Sequence, residues 1–229
     1  MTAKIEANGV TVRAGEKEIL HQITTVIPGN HVFTIVGPSG AGKSTFLRTI
    51  NRLVEMDSGE IMLDGGSIRD LEPVELRRRV GMVFQIPLPF EGTVEDNLLM
   101  GPTLNGSPEP DVGDLLDMVG LGGAFAGRKA SELSVGEQQR MCIARAIANG
   151  PEVLLMDEPT ASLDLESAGK VEDLILDLRE SGDITLVIVT HDMDQGRRIG
   201  DWTMLMKEGR SMGTMETAEF FERHQGVIG

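Results

Sequence analysis

Val32-Phe33-Thr34-Ile35-Val36-Gly37-Pro38-Ser39-Gly40-Ala41-Gly42-Lys43-Ser44-Thr45 decides the fold. A short apolar run, as a buried strand would need, meets a glycine loop. A helical pattern follows, with Phe46, Leu47, Ile50 and Leu53 on one face. Gly37, Gly42, Lys43 and Ser44 satisfy G-x-x-x-x-G-K-[ST] at every position. The chemistry requires that spacing. Glycines let successive backbone N–H groups turn inward around phosphate oxygens, where side chains would obstruct them. The following helix aims its positive N-terminus at the same anion. Lys43 is placed to reach the outer phosphates and the Ser44 hydroxyl to ligate Mg²⁺.

Outward from the loop, the pattern repeats. Val80–Phe84, Val153–Met156 and Thr185–Val189 read as strands of the buried, parallel type. Val171–Arg179 between the last two is an amphipathic helix. Strands alternating with helices predict a mainly parallel sheet in an α/β domain. Before the loop, Ile5–Arg13 and Ile23–Ile27 read as short strands with turns at Asn8-Gly9, Ala14-Gly15 and Pro28-Gly29, an N-terminal antiparallel β part. Thr93 to about Ala130 is broken by Pro and Gly and carries helical pieces at Glu95–Met100 and Val112–Val119. With the helix Glu137–Ala148 it reads as an inserted helical subdomain over about 93–150 of a single domain spanning 1–229. Trp202–Met206 and Arg210–Met215 predict a terminal hairpin.

Composition narrows the function. The 229 residues carry 21 Lys+Arg against 36 Asp+Glu, net charge −15, which argues against nucleic acid as a partner. Cys142 is the single cysteine, so neither an internal disulfide nor a cysteine metal cluster is available. No apolar run approaches the roughly 18 residues that cross a bilayer. The chain reads as cytosolic, with any membrane role left to a partner.

Two further stretches carry chemistry. Val153-Leu154-Leu155-Met156-Asp157-Glu158 ends a strand in two carboxylates. Asp157 suits Mg²⁺, and Glu158 suits orienting and deprotonating an attacking water. Leu133-Ser134-Val135-Gly136-Glu137-Gln138 opens a helix. Ser134 and Glu137 form a capping box without any ligand, or the helix start is a second anion site; this stretch alone does not choose.

Along nearly its whole length the chain resembles ABC-transporter ATPase subunits. The phosphate loop is Gly37–Thr45. Gln85 in VFQ resembles the Q-loop glutamine, and Leu133–Gln138 the LSGGQ signature. Asp157 and Glu158 match the magnesium aspartate and the catalytic glutamate. Ser162-Leu163-Asp164 resembles the D-loop, and Thr190-His191-Asp192 the switch histidine.

The resemblance implies the ABC ATPase fold and a mechanism. ATP and Mg²⁺ would be held by Gly37, Pro38, Ser39, Gly40, Ala41, Gly42, Lys43, Ser44 and Thr45, with Ser44, Gln85 and Asp157 around the metal. Glu158, His191 and Gln85 would serve hydrolysis. Two such domains would pair head to tail as a homodimer or pseudo-homodimer, and Ser134, Gly136, Glu137 and Asp164 would approach the ATP held by the other copy. A membrane permease subunit would dock near Gln85–Phe90, placing the chain peripherally on the inner face of the cell membrane.

The chain departs from the family in three places. Val135 and Glu137 replace the first glycine and the glutamine of the signature. Ala14 stands where an aromatic ring stacks on adenine, which predicts weak preference for ATP over GTP. The remaining aromatics, Phe33 and Phe84 among them, read as core. NRL (Asn51–Leu53), LRRRVGMVFQ (Leu76–Gln85), GTVEDN (Gly92–Asn97) and ELSVGEQQR resemble small ATPases of the metal-export and aluminium-tolerance type. GMVFQ-x-P-x-PF and MCIARA resemble phosphate-import ATPases. A metal ion ranks first as cargo. Phosphate import, or a soluble role such as iron–sulfur assembly, is the alternative.

Overall fold

The computed structural model describes residues 2–223. Within them two sheets share one body. The first is antiparallel, ordered β2-β1-β4-β5, from β1 (Ala3–Ala14), β2 (Lys17–Pro28), β4 (Ser58–Leu63) and β5 (Gly66–Ser67). Alternation builds it: Ile5, Ala7, Val10 and Val12 of β1 are buried. The Asn8-Gly9 pair is not the turn expected from sequence. It lies inside β1, where the register with β2 shifts between Ala7 and Val10 and Gly9 takes φ 62°. A bulge uses the same left-handed glycine that a turn would. β1 and β2 are therefore longer than the short strands expected.

The second sheet is mainly parallel, ordered β10-β9-β3-β8-β7-β6. Its strands are β3 (Val32–Val36), β6 (Val80–Val83), β7 (Val153–Asp157), β8 (Thr185–Thr190), β9 (Trp202–Lys207) and β10 (Arg210–Glu216). Every residue of β3, β7 and β8 is buried, as strands covered on both faces require. β10 runs antiparallel on β9, the expected hairpin.

One apolar cluster joins the antiparallel sheet to one face of the parallel sheet through α1 (Lys43–Ile50), with Phe33, Phe46 and Leu47 inside it. The other face is covered by α5 (Val135–Ile147) and α6 (Leu165–Ser181), with Met141, Ile143, Val171 and Ile175 inside. Between β6 and β7 come α3 (Val94–Asn105), α4 (Val112–Met118) and α5, where helical pieces were expected. Thr93 and Asp96 close a capping box on α3, and Asp111 caps α4. α2 (Pro73–Arg79), α7 (Met193–Ile199) and α8 (Thr217–Arg223) complete the helices.

Leu53 and Phe84, both expected inside, are not. Helix α1 ends at Ile50, which leaves Leu53 42% exposed beyond it. Strand β6 ends at Val83, so Phe84 leaves the sheet and is 39% exposed. Among the described residues, no helix is long and apolar enough to cross a membrane.

Candidate functional site

Sheet order assembles the site. The phosphate loop leaves the carboxyl end of β3, Glu158 follows β7, His191 follows β8 and Gln85 lies two residues beyond β6. These four strands are parallel, and β3, β8, β7 and β6 are consecutive neighbours. Carboxyl ends of parallel strands are where open α/β sheets build their crevices. A cavity of about 420 Å³ lies there, lined by Ser39–Thr45, Gln85, Glu158 and Ile19.

The loop needs its glycines. Gly37 has φ 146°, and a Cβ on it would meet Met206 O at 2.0 Å, so β9 backbone fixes the start of the loop. Gly42 caps α1 in the left-handed region at φ 93°. Lys43 folds back and donates to Gly37 O at 2.8 Å and Pro38 O at 3.0 Å. Burial pushes the Lys43 ammonium below its ordinary pKa, while Glu158 and then Asp157 oppose that shift. Its ammonium is thus held on the loop carbonyls in the field of the two carboxylates.

Asp157 is 2% exposed. Its Oδ1 accepts from Ser44 Oγ at 2.6 Å and its Oδ2 from Arg48 Nη2 at 2.9 Å. The next residue, Glu158, turns out of the strand with φ 47°, a conformation costly for a side chain with a Cβ and concentrated at functional sites. Its N–H is held by Val189 O of β8 at 2.9 Å. The turn aims its carboxylate at His191, Nδ1 to Oε2 2.9 Å. A carboxylate beside a phosphate cavity and hydrogen-bonded to an imidazole can accept a proton from water.

The site extends past the residues legible in sequence. Gln195, 2% exposed on α7, donates to Thr160 Oγ1 at 2.7 Å and Glu172 Oε1 at 3.0 Å. It ties the helix after His191 to the loop after Glu158 and to α6. Arg48 lies four residues past Ser44, on the same face of α1; that i,i+4 spacing was the available signal.

Ser134, Gly136, Glu137 and Asp164 do not line this cavity. Ser134 caps α5, and the capping box is complete: Glu137 N to Ser134 Oγ 3.4 Å, Ser134 N to Glu137 Oε2 2.8 Å. The backbone N–H of Ser134 holds the Glu137 carboxyl below its usual range. Asp164 caps α6, accepting from Ser167 N at 3.0 Å. Ala14 is exposed at the β1–β2 turn. Ile86, Leu88 and Phe90 are 65%, 59% and 47% exposed, so these three of the run after Gln85 face outward, while Pro87 between them is buried.

The family model described as "ABC transporter" matches residues 20–161. ABC transporter I family member 17 of Arabidopsis thaliana is 42% identical over 219 residues, 94% of this chain and 83% of that protein. The phosphate import ATP-binding protein PstB of Mycoplasma mobile is 42% identical over 237 residues, 97% of this chain and 84% of that protein. The chain superposes on cbiO1 of Clostridium perfringens, part of the ABC transporter complex cbiONQ, with TM-score 0.88 at 27% identity, over 98% of this chain and 93% of that one. It superposes on the dimeric post-hydrolysis cassette MJ0796 bound to ADP and Pi with TM-score 0.79 at 31% identity, over 93% and 98% of the two chains.

Proposed function

Because the chain belongs to the ABC transporter family of ATP-binding domains, which bind and hydrolyse ATP, we propose that it is the ATP-driven motor of a transporter whose membrane subunit is a separate chain. The observation that carries this reading is the convergence of Lys43, Ser44, Asp157, Glu158, His191 and Gln85 at the carboxyl ends of four neighbouring strands. In it the loop 37–45 cradles the phosphates and Lys43 clamps the outer ones. Glu158 takes the proton of the attacking water, His191 orients Glu158, and Gln85 reports on the γ-phosphate.

The oxygen donors fit Mg²⁺. Ser44 Oγ and Asp157 Oδ1 lie 2.6 Å apart, and among the described residues no cluster of three His, Cys, Asp or Glu offers a complete cage. One hydroxyl and one carboxylate, completed by phosphates and water, are what Mg²⁺ takes at nucleotide sites. Ser44 and Asp157 would hold it, with Gln85 at the side, and it would neutralise charge on the phosphates.

Ser134, Gly136, Glu137 and Asp164 lie off the cavity, and on this reading a head-to-tail second copy brings them to its ATP. The exposed run Ile86–Phe90 supports docking of the permease there. On this reading the chain is one ATPase unit with its helical part over about 93–150, peripheral on the cytoplasmic face of the membrane. A metal ion is the first cargo, from the resemblance. The 42% identity to PstB supports phosphate import as the second reading.

Glu158→Gln should keep ATP bound, slow hydrolysis about 100-fold, typical of losing a general base, and accumulate a dimer. Lys43→Ala should weaken ATP binding itself. Phosphate release at the wild-type rate from Glu158→Gln would refute the role of Glu158. Co-purification with a polytopic membrane protein separates a transport motor from a soluble ATPase.

A further inference from the structure

Both oxygens of Asp157 are taken by a single helix. Ser44 and Arg48, four residues apart on α1, reach across to the end of β7 and grip one oxygen each, at 2.6 and 2.9 Å. The carboxylate is buried, whereas the Arg48 side chain is 43% exposed, so the pair spans from the interior to the surface. Arg48 Nε is itself buried without a hydrogen-bond partner. The guanidinium thus gives up one hydrogen bond in the position that lets Nη2 reach Asp157. A buried carboxylate without a cation is costly, and Arg48 is the cation that touches this one among the described residues.

We propose that Arg48 is a positioning residue for the metal site, with two effects. It fixes the rotamer of Asp157, presenting Oδ1 to Ser44. Its charge also weakens the hold of Ser44 and Asp157 on a free divalent cation, so that the cation binds well only together with polyphosphate. The inference rests on reading Ser44 and Asp157 as metal donors. Two like-signed charges, +1 on the guanidinium and +2 on the metal, would share one carboxylate. Even in a half-exposed, well-screened setting their repulsion changes affinity on the order of tenfold.

The test uses Mn²⁺ as a probe, followed by paramagnetic resonance, on the whole protein without nucleotide and with ADP. Wild type should bind Mn²⁺ weakly alone and much more tightly with ADP. Arg48→Met should bind Mn²⁺ alone on the order of tenfold more tightly. It should also melt at lower temperature in chelator and recover more on adding Mn²⁺. Arg48→Lys, which keeps the charge, should bind like wild type. If Arg48→Met is too unstable to purify, Arg48→Gln carries the same expectation, since it removes the charge and keeps a donor. Asp157→Asn separates the two levels. If that variant binds Mn²⁺–ADP as wild type does, the reading of the metal donors fails. If it loses binding while the neutral Arg48 variants bind free Mn²⁺ no more tightly than wild type, whatever their melting temperature, the role of Arg48 alone is overturned.

Discussion

A methyl group added at Gly136 tests whether the first turns of α5 and α6 are in mechanical contact. A Cβ there would lie 2.6 Å from Ser167 Oγ and 2.7 Å from Ser167 Cβ. The first contact could be relieved by rotating the hydroxyl, but Ser167 Oγ donates to Asp164 Oδ2 at 2.8 Å and would lose that bond. The second contact does not depend on the rotamer, so one helix must move. Overpacking of this kind costs about 1–3 kcal/mol. Alanine favours the helix over glycine by roughly 0.5–1 kcal/mol, which leaves a net loss of about 1–2 kcal/mol. For a chain of this size each kcal/mol lowers the melting temperature by about 2–4 °C, so Gly136→Ala should melt roughly 2–8 °C lower. The partner change supplies the control. Ser167→Gly removes both offending atoms and should cost about 1 kcal/mol in the wild-type background, through loss of the bond to Asp164 and a glycine in the first turn. In the Gly136→Ala background it should cost nothing or restore stability, a coupling of about 1 kcal/mol or more. Urea melts of the four proteins measure it. Additive losses would refute the contact.

Glu152 is held down to about 2 by its hydrogen bonds to Arg79 and, after burial is offset, by Lys4. A depressed carboxylate stabilises above its unfolded pKa, so this contribution is full above about pH 4.5 and fades as pH falls toward 2; because the side chain is 39% exposed, screening reduces it to about 1 kcal/mol. Glu152→Gln should lose that amount at pH 7 in urea melts and lose less than wild type on acidification. Ala14→Tyr should tighten ATP several-fold by equilibrium dialysis, since stacking on an aromatic ring is worth about 1–3 kcal/mol; strong ATP-over-GTP discrimination in wild type would mean that another group holds the base. Leu88→Asp with Phe90→Asp should leave the subunit folded and hydrolysing ATP, because Leu88 is mostly and Phe90 half exposed, yet abolish assembly with its membrane partner; normal assembly would show that the dock lies elsewhere.

The strand, loop and helix at 32–50 were legible because sterics allow few sequences there: glycine at Gly37 and Gly42 answers a backbone approach and a left-handed cap. The capping box at Ser134 and Glu137 was legible for the same local reason. Proximity across the sheet was not. Glu158 and His191 are 33 residues apart and meet because β7 and β8 are neighbours, an order that periodicity does not encode. Asn8-Gly9 misled because a bulge and a turn ask for the same left-handed residue. Phe84 misled because an apolar run does not say where its strand stops. Gln195 gave no signal: its bonds to Thr160 and Glu172 span 35 and 23 residues.

The exposed run after Gln85 is apolar but not loose. Arg145 of α5 donates to Leu88 O at 3.0 Å and covers the Phe90 ring with its guanidinium at 4.2 Å. Asn97 of α3, fully buried, accepts from Phe90 N at 2.8 Å and donates to Phe90 O at 3.1 Å. Gln139, one turn into α5, donates to Phe84 O at 3.2 Å. The loop is thus pinned to α5 on both sides of Gln85, and α5 itself begins at Ser134. An α-helix of 13 residues is a stiff rod about 20 Å long. A displacement of Leu88 and Phe90 should therefore be passed to α5, and along it toward Ser134 and Gly136. The phosphate loop belongs to a different set of elements, β3 and α1. Gln85 lies on the seam between the two, lining the phosphate cavity while its neighbours Phe84 and Leu88 are held by the helix. On the proposed reading, docking at the loop and contact with a second copy at Ser134 would engage opposite ends of α5, and Gln85, between the pinned residues Phe84 and Leu88, would link them to the phosphate cavity.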